Sequence, residues 1–264
     1  MIMSLSDNVP HWCKQRLHDL QTAFGLLTRL PIPRFGHDLN APISGATSAW
    51  AWPLVGAFLG VLAYGVAQGA HALGMPPLIS ALFSVAALVI ATGAFHEDGL
   101  ADSADGLWGG YAPERRLEIM KDSHIGSYGV LALILIITLR VMALGEIVQN
   151  PFIFMALVAI GAMSRLPMVV FMVLMPAANK GGLSTSVGRP SGRVAVLAHL
   201  LGLALAFWCL GLQALWLGLC ISAVTALWAL IAWRKIGGQT GDILGASQQL
   251  AEVAGLLTLV FLWA

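Results

Sequence analysis

Gly129-Val-Leu-Ala-Leu-Ile-Leu-Ile-Ile-Thr-Leu-Arg-Val-Met-Ala-Leu-Gly-Glu-Ile-Val148 carries only two charged side chains, Arg140 and Glu146, in an otherwise apolar run. At about 1.5 Å per residue, a helix of that length covers the roughly 30 Å of a bilayer's hydrocarbon, so the stretch reads as a membrane crossing. The rest of the chain points the same way. Of its 264 residues 58% are hydrophobic and 10% charged, at a mean hydropathy of +0.81, whereas soluble domains carry about 25% charged residues. That deficit leaves too little polar surface to cover a soluble globule, and the expected fold is an all-α polytopic membrane protein. Outward from 129–148, further apolar windows at 49–68, 77–95, 152–175, 194–212, 214–233 and 249–263 give about seven transmembrane helices. The fifth and sixth are parted only by residues 211–213, and the seventh is short. Residues 1–264 are expected to form a single integral membrane domain, with a cytoplasmic or interfacial N-terminal segment, 1–48, ahead of the bundle, 49–264.

The basic residues lie on alternate connections. Lys14, Arg16, Arg29 and Arg34 precede the first window, Arg115, Arg116 and Lys121 lie between the second and third, Lys180, Arg189 and Arg193 follow the fourth, and Arg234 and Lys235 follow the sixth. The connections after the first, third and fifth windows carry none. Because short cytoplasmic loops retain Lys and Arg, the N-terminus and the loops 96–128, 176–193 and 234–248 are expected in the cytoplasm, and the C-terminus outside. Residues 12–30 mix Lys14, Arg16, His18 and Asp19 with Leu17, Leu20, Phe24, Leu26 and Leu27, as in an amphipathic helix lying on the membrane or a short helix packed on the loops. Prolines 31 and 33 end it. Cys13, Cys209 and Cys220 show no metal or disulfide spacing and read as reduced packing residues. No basic run suggests nucleic acid, residues 1–10 lack the pattern of a cleaved signal, and no internal repeat supports a two-half transporter.

The polar chemistry concentrates in a few segments. Residues 96–106, His-Glu-Asp-Gly-Leu-Ala-Asp-Ser-Ala-Asp-Gly, place Glu97, Asp98, Asp102 and Asp105 at the end of the second window. Were they helical, Asp98, Asp102 and Asp105 would share one face, where like charges repel by roughly 0.2–0.5 kcal/mol per pair. A bound Mg²⁺ or Mn²⁺ would reverse that cost, and the glycines after Asp98 and Asp105 let a phosphate or another backbone approach closely. The stretch 114–122 reads as a cytoplasmic helix running into 123–129, where Lys121, Ser123 and Ser127 fit phosphate recognition at a helix start or an ordinary helix end. Arg140 and Arg165 stand inside apolar windows, where an unpaired charge costs several kcal/mol. They are expected to face the interior, as a clamp for a phosphorylated substrate, as partners of the acidic segment, or in a structural pair with Glu146 or Glu252. Residues 179–192, with Lys180 and Arg189, suit a mobile binding loop or a plain linker. Residues 237–246, with Thr240 and Asp242, suit completion of a metal site or a phosphate cradle. No P-loop, zinc motif or Gly-x-Ser-x-Gly elbow occurs.

These segments resemble the cobalamin synthase family, the adenosylcobinamide-GDP ribazoletransferases, through nearly the whole chain. The likeness is carried by Thr28-Arg-Leu-Pro-Ile-Pro33, Phe95-His-Glu-Asp-Gly-Leu-Ala-Asp-Ser-Ala-Asp-Gly106, Lys121-Asp-Ser-His-Ile-Gly-Ser-Tyr-Gly129 and Gly238-Gln-Thr-Gly-Asp-Ile-Leu-Gly-Ala246, with Glu252 shortly after. The resemblance implies an inner-membrane, Mg²⁺-dependent enzyme of cobalamin biosynthesis, with Mn²⁺ as a substitute ion. It would join adenosylcobinamide-GDP to the ribose 3′-hydroxyl of α-ribazole or its 5′-phosphate, releasing GMP. The partners so implied are those small molecules and the lipid bilayer, without nucleic acid, and with room for a homo-oligomer and for association with other late cobamide-pathway enzymes. Glu97, Asp98, Asp102 and Asp105 are then the expected metal ligands, with Asp102 or Asp105 the catalytic proton acceptor. Arg29, His96, Lys121, Asp122, Ser123, Arg140, Arg165, Lys180, Arg189, Thr240 and Asp242 are the expected substrate contacts. A membrane phosphatidyltransferase acting on CDP-alcohols is the nearest alternative, but its Asp-Gly-x-x-Ala-Arg motif is not met where Asp102 and Ser103 follow Ala101. A solute transporter would need the carboxylates to line a through-path.

Overall fold

In a computed structural model, which describes residues 10–31, 45–179 and 181–264, the apolar windows are helical and their ends fall where glycine or proline stands. The helix α1 (His11–Leu27) precedes a 3-10 turn, Gly45–Ala51, that runs straight into α2 (Trp52–Ala72). Next, α3 (Pro77–Thr92) stops at Gly93, whose φ of 65° continues into a left-handed Ala94 at 57°. This double reversal sends α4 (Phe95–Gly109) off at 88° to α3. The chain continues through α5 (Pro113–Ile119), α6 (Ser127–Ile147), α7 (Ile153–Met163), α8 (Leu166–Leu174), α9 (Leu183–Val187), α10 (Gly192–Leu210), α11 (Gln213–Ile236) and α12 (Gly241–Trp263). Among the described residues no strand forms beyond one isolated bridge, Ala177 to Gln239. Six segments among the described residues are long and apolar enough to cross a membrane, α7 and α8 counting together, and the bent pair α3–α4 makes seven if taken as one. The chain is thus an all-helical, multi-pass membrane protein. Ile32, Pro33, Arg34 and Lys180 lie outside the described residues.

Three expectations about boundaries change. The acidic stretch expected in the loop 96–128 is mostly the helix α4. The fourth window is two helices, broken at Ser164 and Arg165 ahead of Pro167. The seventh window starts at Gly241 rather than 249 and is 23 residues long, so most of the glycine-rich stretch expected as a loop is the first turns of α12. Thr240 starts that helix, its hydroxyl accepting from the Ile243 N–H at 3.3 Å.

Glycine lets the inner helices meet backbone to backbone, as in membrane bundles, where small residues allow close packing. A Cβ at Gly56 would lie 1.9 Å from the Gly161 carbonyl oxygen, and one at Gly60 would lie 2.2 Å from that of Leu157, so α2 and α7 can approach this closely only with glycine there. The helices α10 and α11 flank this core and present leucines such as Leu200, Leu215 and Leu227 outward, a surface suited to acyl chains. On the amphipathic α1, buried Asp19 accepts from the Trp50 indole N–H at 2.8 Å and from Arg16 at 3.1 Å. Phe24 meets Phe58 edge-on, while Trp12 and Leu17 stay exposed. The helix therefore combines both sequence readings, packed on one face and open on the other.

The charged connections gather at one end of the bundle. Ala178 N–H donates to Gln239 O and Gln239 N–H to Pro176 O, both at 2.9 Å, joining the segment after α8 to the segment before α12. Arg116 donates to the Lys235 carbonyl at 2.8 Å, and Lys235 to that of Leu107 at 2.7 Å, joining α5, α4 and the end of α11. At the opposite end Gln68 donates to the Val148 carbonyl and Trp263 to Gln213, linking connections without basic residues.

Candidate active site

The carboxylates of α4 divide into two sets according to what neutralises them. Arg140, from the middle of α6 and 1% exposed, donates from Nε and Nη2 to Glu252 Oε1 at 3.0 and 2.7 Å. Its Nη1 donates to Glu97 Oε1 at 2.8 Å and to Gln249 Oε1 at 2.9 Å. Gln249 also donates to Glu97, and Gln248 to Glu252. Arg165, at the α7–α8 break, donates to the Ser164 hydroxyl at 2.8 Å and the Gly161 carbonyl at 3.2 Å, and stands 3.9 Å from Glu252. Two arginines and two glutamates make a net-neutral network that ties α4, α6, α8 and α12 together inside the apolar bundle, where unpaired charges would cost several kcal/mol each. Glu97 is therefore held by Arg140 through Oε1, its buried Oε2 having no hydrogen-bond partner among the described residues, and four of the five N–H donors of Arg140 are used inside the bundle. Of the expectations for that arginine, partnership with the acidic segment and pairing with Glu252 both hold at once, while Glu146 is exposed.

Asp105 is committed as well. Its two oxygens accept from the backbone N–H groups of Gly126 at 2.7 Å and Gly129 at 2.9 Å, capping the start of α6, where four N–H groups otherwise lack partners. A Cβ at Gly129 would lie 2.4 Å from that carboxylate, so glycine there is what admits it.

Asp98 and Asp102 are left, one helical turn apart, the first exposed and the second half-buried. A third carboxylate joins them from α12. Gly99 lies so close that a Cβ on it would stand 2.9 Å from the Asp242 carbonyl oxygen, and one on Gly245 would stand 3.3 Å from the His96 Cα, so two glycines seat the first turn of α12 directly on α4. Asp102 is within electrostatic reach of Asp98, Asp242 and Asp105, in that order of strength. Thr240 donates to Asp242 at 3.1 Å. None of Asp98, Asp102 and Asp242 has an ion-pair partner among the described residues, nor do three His, Cys, Asp or Glu side chains there converge tightly enough to enclose a metal ion unaided.

The other expected contacts are dispersed around this face. Lys121, Asp122 and Ser123 are exposed in the turn before α6. There the His124 ring lies 2.7 Å from Asp122 and holds its carboxyl below the usual range, helped by the His124 N–H at 3.1 Å. Arg29 lies over the α3–α4 corner, its side chain filling the space a Cβ on Gly93 would take and its N–H donating to Ala91 O at 2.7 Å. Arg189 is exposed and donates to the Val173 carbonyl. His96 is fully buried beneath α12, its Nε2 without a partner among the described residues. Lys180 lies outside those residues. Gln248 and Gln249 were missed by sequence reasoning, although two amides one turn before Glu252 in an apolar window signal a buried polar network.

The residues matched by the family of cobalamin-5-phosphate synthases run from 19 to 260, almost the entire chain. The chain belongs to the cobalamin-5-phosphate synthase family. Relatives called adenosylcobinamide-GDP ribazoletransferase include that of Bradyrhizobium diazoefficiens, 42% identical over 240 residues, covering 90% of this chain and 92% of the relative. That of Azorhizobium caulinodans is 41% identical over 250 residues, covering 91% and 94%. That of Brucella ovis is 41% identical over 254 residues, covering 92% and 96%. No solved structure matches. The chain is thus a membrane-embedded transferase of cobalamin biosynthesis, a cobalamin synthase, and the unneutralised trio on α4 and α12 lies within the matched region.

Proposed function

We propose that this cobalamin synthase transfers the adenosylcobinamide phosphate group from adenosylcobinamide-GDP to the 3′-hydroxyl of α-ribazole or its 5′-phosphate, at the cytoplasmic face of the inner membrane. The observation that carries the reading is the split among the carboxylates: Glu97 and Glu252 are neutralised by arginine, whereas Asp98, Asp102 and Asp242 share one open face and are not. The relatives' shared name supplies the two substrates. The basic connections gathered at that end favour the cytoplasmic side.

The donor set fits Mg²⁺, a hard cation that keeps several waters and is held by one or two carboxylates together with substrate phosphates rather than by an all-protein cage. Asp98 and Asp242 would hold it, and Mn²⁺ in its place, with Asp102 beside them. Asp242 takes the metal role expected of Asp105, which spends both oxygens on the start of α6, while Glu97 gives Oε1 to Arg140 and Gln249. Bound there, the ion supplies neutralisation of the pyrophosphate and of the departing GMP.

In the reaction the ribose 3′-oxygen attacks the corrinoid-side phosphorus, the bond from that phosphorus to the bridging oxygen breaks, and GMP leaves with the bridging oxygen. Asp102 takes the hydroxyl proton, since a positioned carboxylate contributes as general base and Asp105, the other residue expected for the task, spends both oxygens on the α6 cap. Lys121, Arg29 and Arg189 stand at the same end to meet phosphate charge. Detergent-solubilised protein given adenosylcobinamide-GDP, ribazole phosphate and Mg²⁺ should release GMP and form a complete corrinoid. Near-normal GMP release by Asp102→Asn at saturating Mg²⁺ would sink the assignment.

A further inference from the structure

The proposed chemistry makes no use of α1, whose surface divides into three sides. At about 100° per residue, Asp19, Ala23 and Leu27 point one way, and all three are buried. There Asp19 meets Trp50, and Arg16, from the same row, lies 5.5 Å above the Trp50 ring. Cys13, Leu17, Leu20 and Phe24 form a second row, spaced i, i+4, i+7 and i+11. It is apolar throughout, since a free thiol packs as a small hydrophobe, and Leu17 is 47% exposed while the other three are half-buried. Lys14, His18, Gln21 and Gly25 repeat the same spacing about 100° further round. Lys14 and Gly25 are exposed there, and a Cβ on Gly25 would meet nothing within 4 Å.

A surface helix of a soluble protein needs two sides, one for the core and one for water. The second row of α1 belongs to neither, and its neighbours show what it faces. Phe24 meets Phe58 with ring centroids 5.3 Å apart. Phe58 and Val61 are exposed on the outer side of α2, in a segment long and apolar enough to cross a membrane. The row therefore continues the surface that α2 turns to acyl chains. Its depth agrees. Phe58 stands six residues beyond the start of α2, about 9 Å along the axis, and in-plane helices seat their apolar side about 5–10 Å into the boundary between headgroups and acyl chains. Trp12, exposed at the start of α1, is of a residue type that collects at that boundary.

We infer that α1 lies in the plane of the bilayer interface, at the end of the bundle where the charged connections gather. Cys13, Leu17, Leu20 and Phe24 touch acyl chains, Lys14 and Gly25 face water, and Asp19 faces the bundle. Lipid is the occupant because the row runs without a break into the lipid side of α2. Arg29, two residues beyond α1, lies over the α3–α4 corner, so the corner from which α4 departs stands at the interface too. The test is a depth measurement on the full-length protein in vesicles of phosphatidylcholine and phosphatidylglycerol. A protein carrying Cys13→Ala, Cys209→Ala and Cys220→Ala receives Leu17→Cys, Lys14→Cys or Gly25→Cys, and the single thiol takes a nitrobenzoxadiazole label. The label at position 17 should emit at shorter wavelength than the other two, be quenched by lipids with a nitroxide on an upper acyl carbon, and lose most of its quenching by aqueous iodide. Labels at 14 and 25 should show the reverse. Because Leu17→Cys alters the row, a label on native Cys13 in a Cys209→Ala, Cys220→Ala protein repeats the measurement in an α1 of native sequence and should behave as the label at 17. Iodide reaching positions 13 or 17 as freely as 14 and 25 would overturn the inference. A row shielded from iodide and from nitroxide lipid alike would assign it to a second copy or another protein, and would overturn it as well.

Discussion

Arg140→Met tests whether the buried network holds α4 in place. The guanidinium lies 2.7 and 3.0 Å from Glu252, 2.8 Å from Glu97 and 2.9 Å from Gln249. Without it, two carboxylates stay buried against one another, with Arg165 3.9 Å from Glu252 as the remaining cation. Removing one partner of a buried pair costs about 3–5 kcal/mol because the other charge is left uncompensated. At about 2–4 °C per kcal/mol for a chain near this size, the melting midpoint of the detergent-solubilised protein, followed by far-UV circular dichroism, should fall by about 6–20 °C. Adding Glu252→Gln removes one stranded charge and leaves Glu97 to balance Arg165. The double variant should therefore be more stable than the sum of the two single losses, by about 0.5–3 kcal/mol, as for residues in one charge network. A melting midpoint within about 2 °C of the wild type together with lost GMP release would refute this reasoning and return Arg140 to the role of a substrate clamp.

Asp105→Ala strands the N–H groups of Gly126 and Gly129, so its melting curve should show a loss of about 1–3 kcal/mol, with Asp105→Asn, which keeps one acceptor oxygen, losing less. Gly99→Val drives a side chain into the Asp242 backbone, 2.9 Å from where its Cβ would stand; overpacking of this kind costs about 1–3 kcal/mol, and product formation should fall while membrane insertion persists. An active Gly99→Val enzyme would show that the seating of α12 on α4 is dispensable. Asp98→Asn should raise the Mg²⁺ concentration needed for half-maximal GMP release, and a Mg²⁺ dependence left unchanged in Asp98→Asn and Asp242→Asn alike would exclude both as ligands.

The crossings were legible because a bilayer imposes a length and forbids exposed charge, so the windows at 129–148, 194–212 and 214–233 agree closely with α6, α10 and α11. Where helices bury polar groups against one another, that signal fails. The stretch 241–248 looks like a loop because it holds glycine, Asp242, Ser247 and Gln248, yet it is helical because Gln248 and Gln249 find partners within the bundle. Gln249 and Glu97 are 152 residues apart, and no local pattern records that contact. The same holds for the acidic segment. Its spacing shows that Asp98 and Asp102 share a face, but only the positions of Arg140 and of the Gly126 and Gly129 N–H groups reveal that Glu97 and Asp105 are already engaged.

This division of labour accounts for the bend at Gly93. A straight continuation of α3 would carry residues 96–106 out of the bundle, where their carboxylates would be solvated and mobile. The 88° turn instead lays α4 between α6 and α12, and burying a helix with four acidic residues there is affordable only if half of them are compensated. Glu97 is compensated by Arg140 and Asp105 by the two N–H groups of α6, and both contacts fix the helix's rotation. With that rotation set, Asp98 and Asp102 face the open end of the bundle, and the glycine between them brings Asp242 alongside. The repulsion left among those three is what a divalent cation and a pyrophosphate would relieve. Neutralising two of the three without a substrate, as in an Asp102→Asn, Asp242→Asn double variant, should therefore leave the fold at least as stable as the wild type while abolishing transfer. A double variant that instead melted earlier would mean that the trio holds the fold together rather than standing ready for substrate.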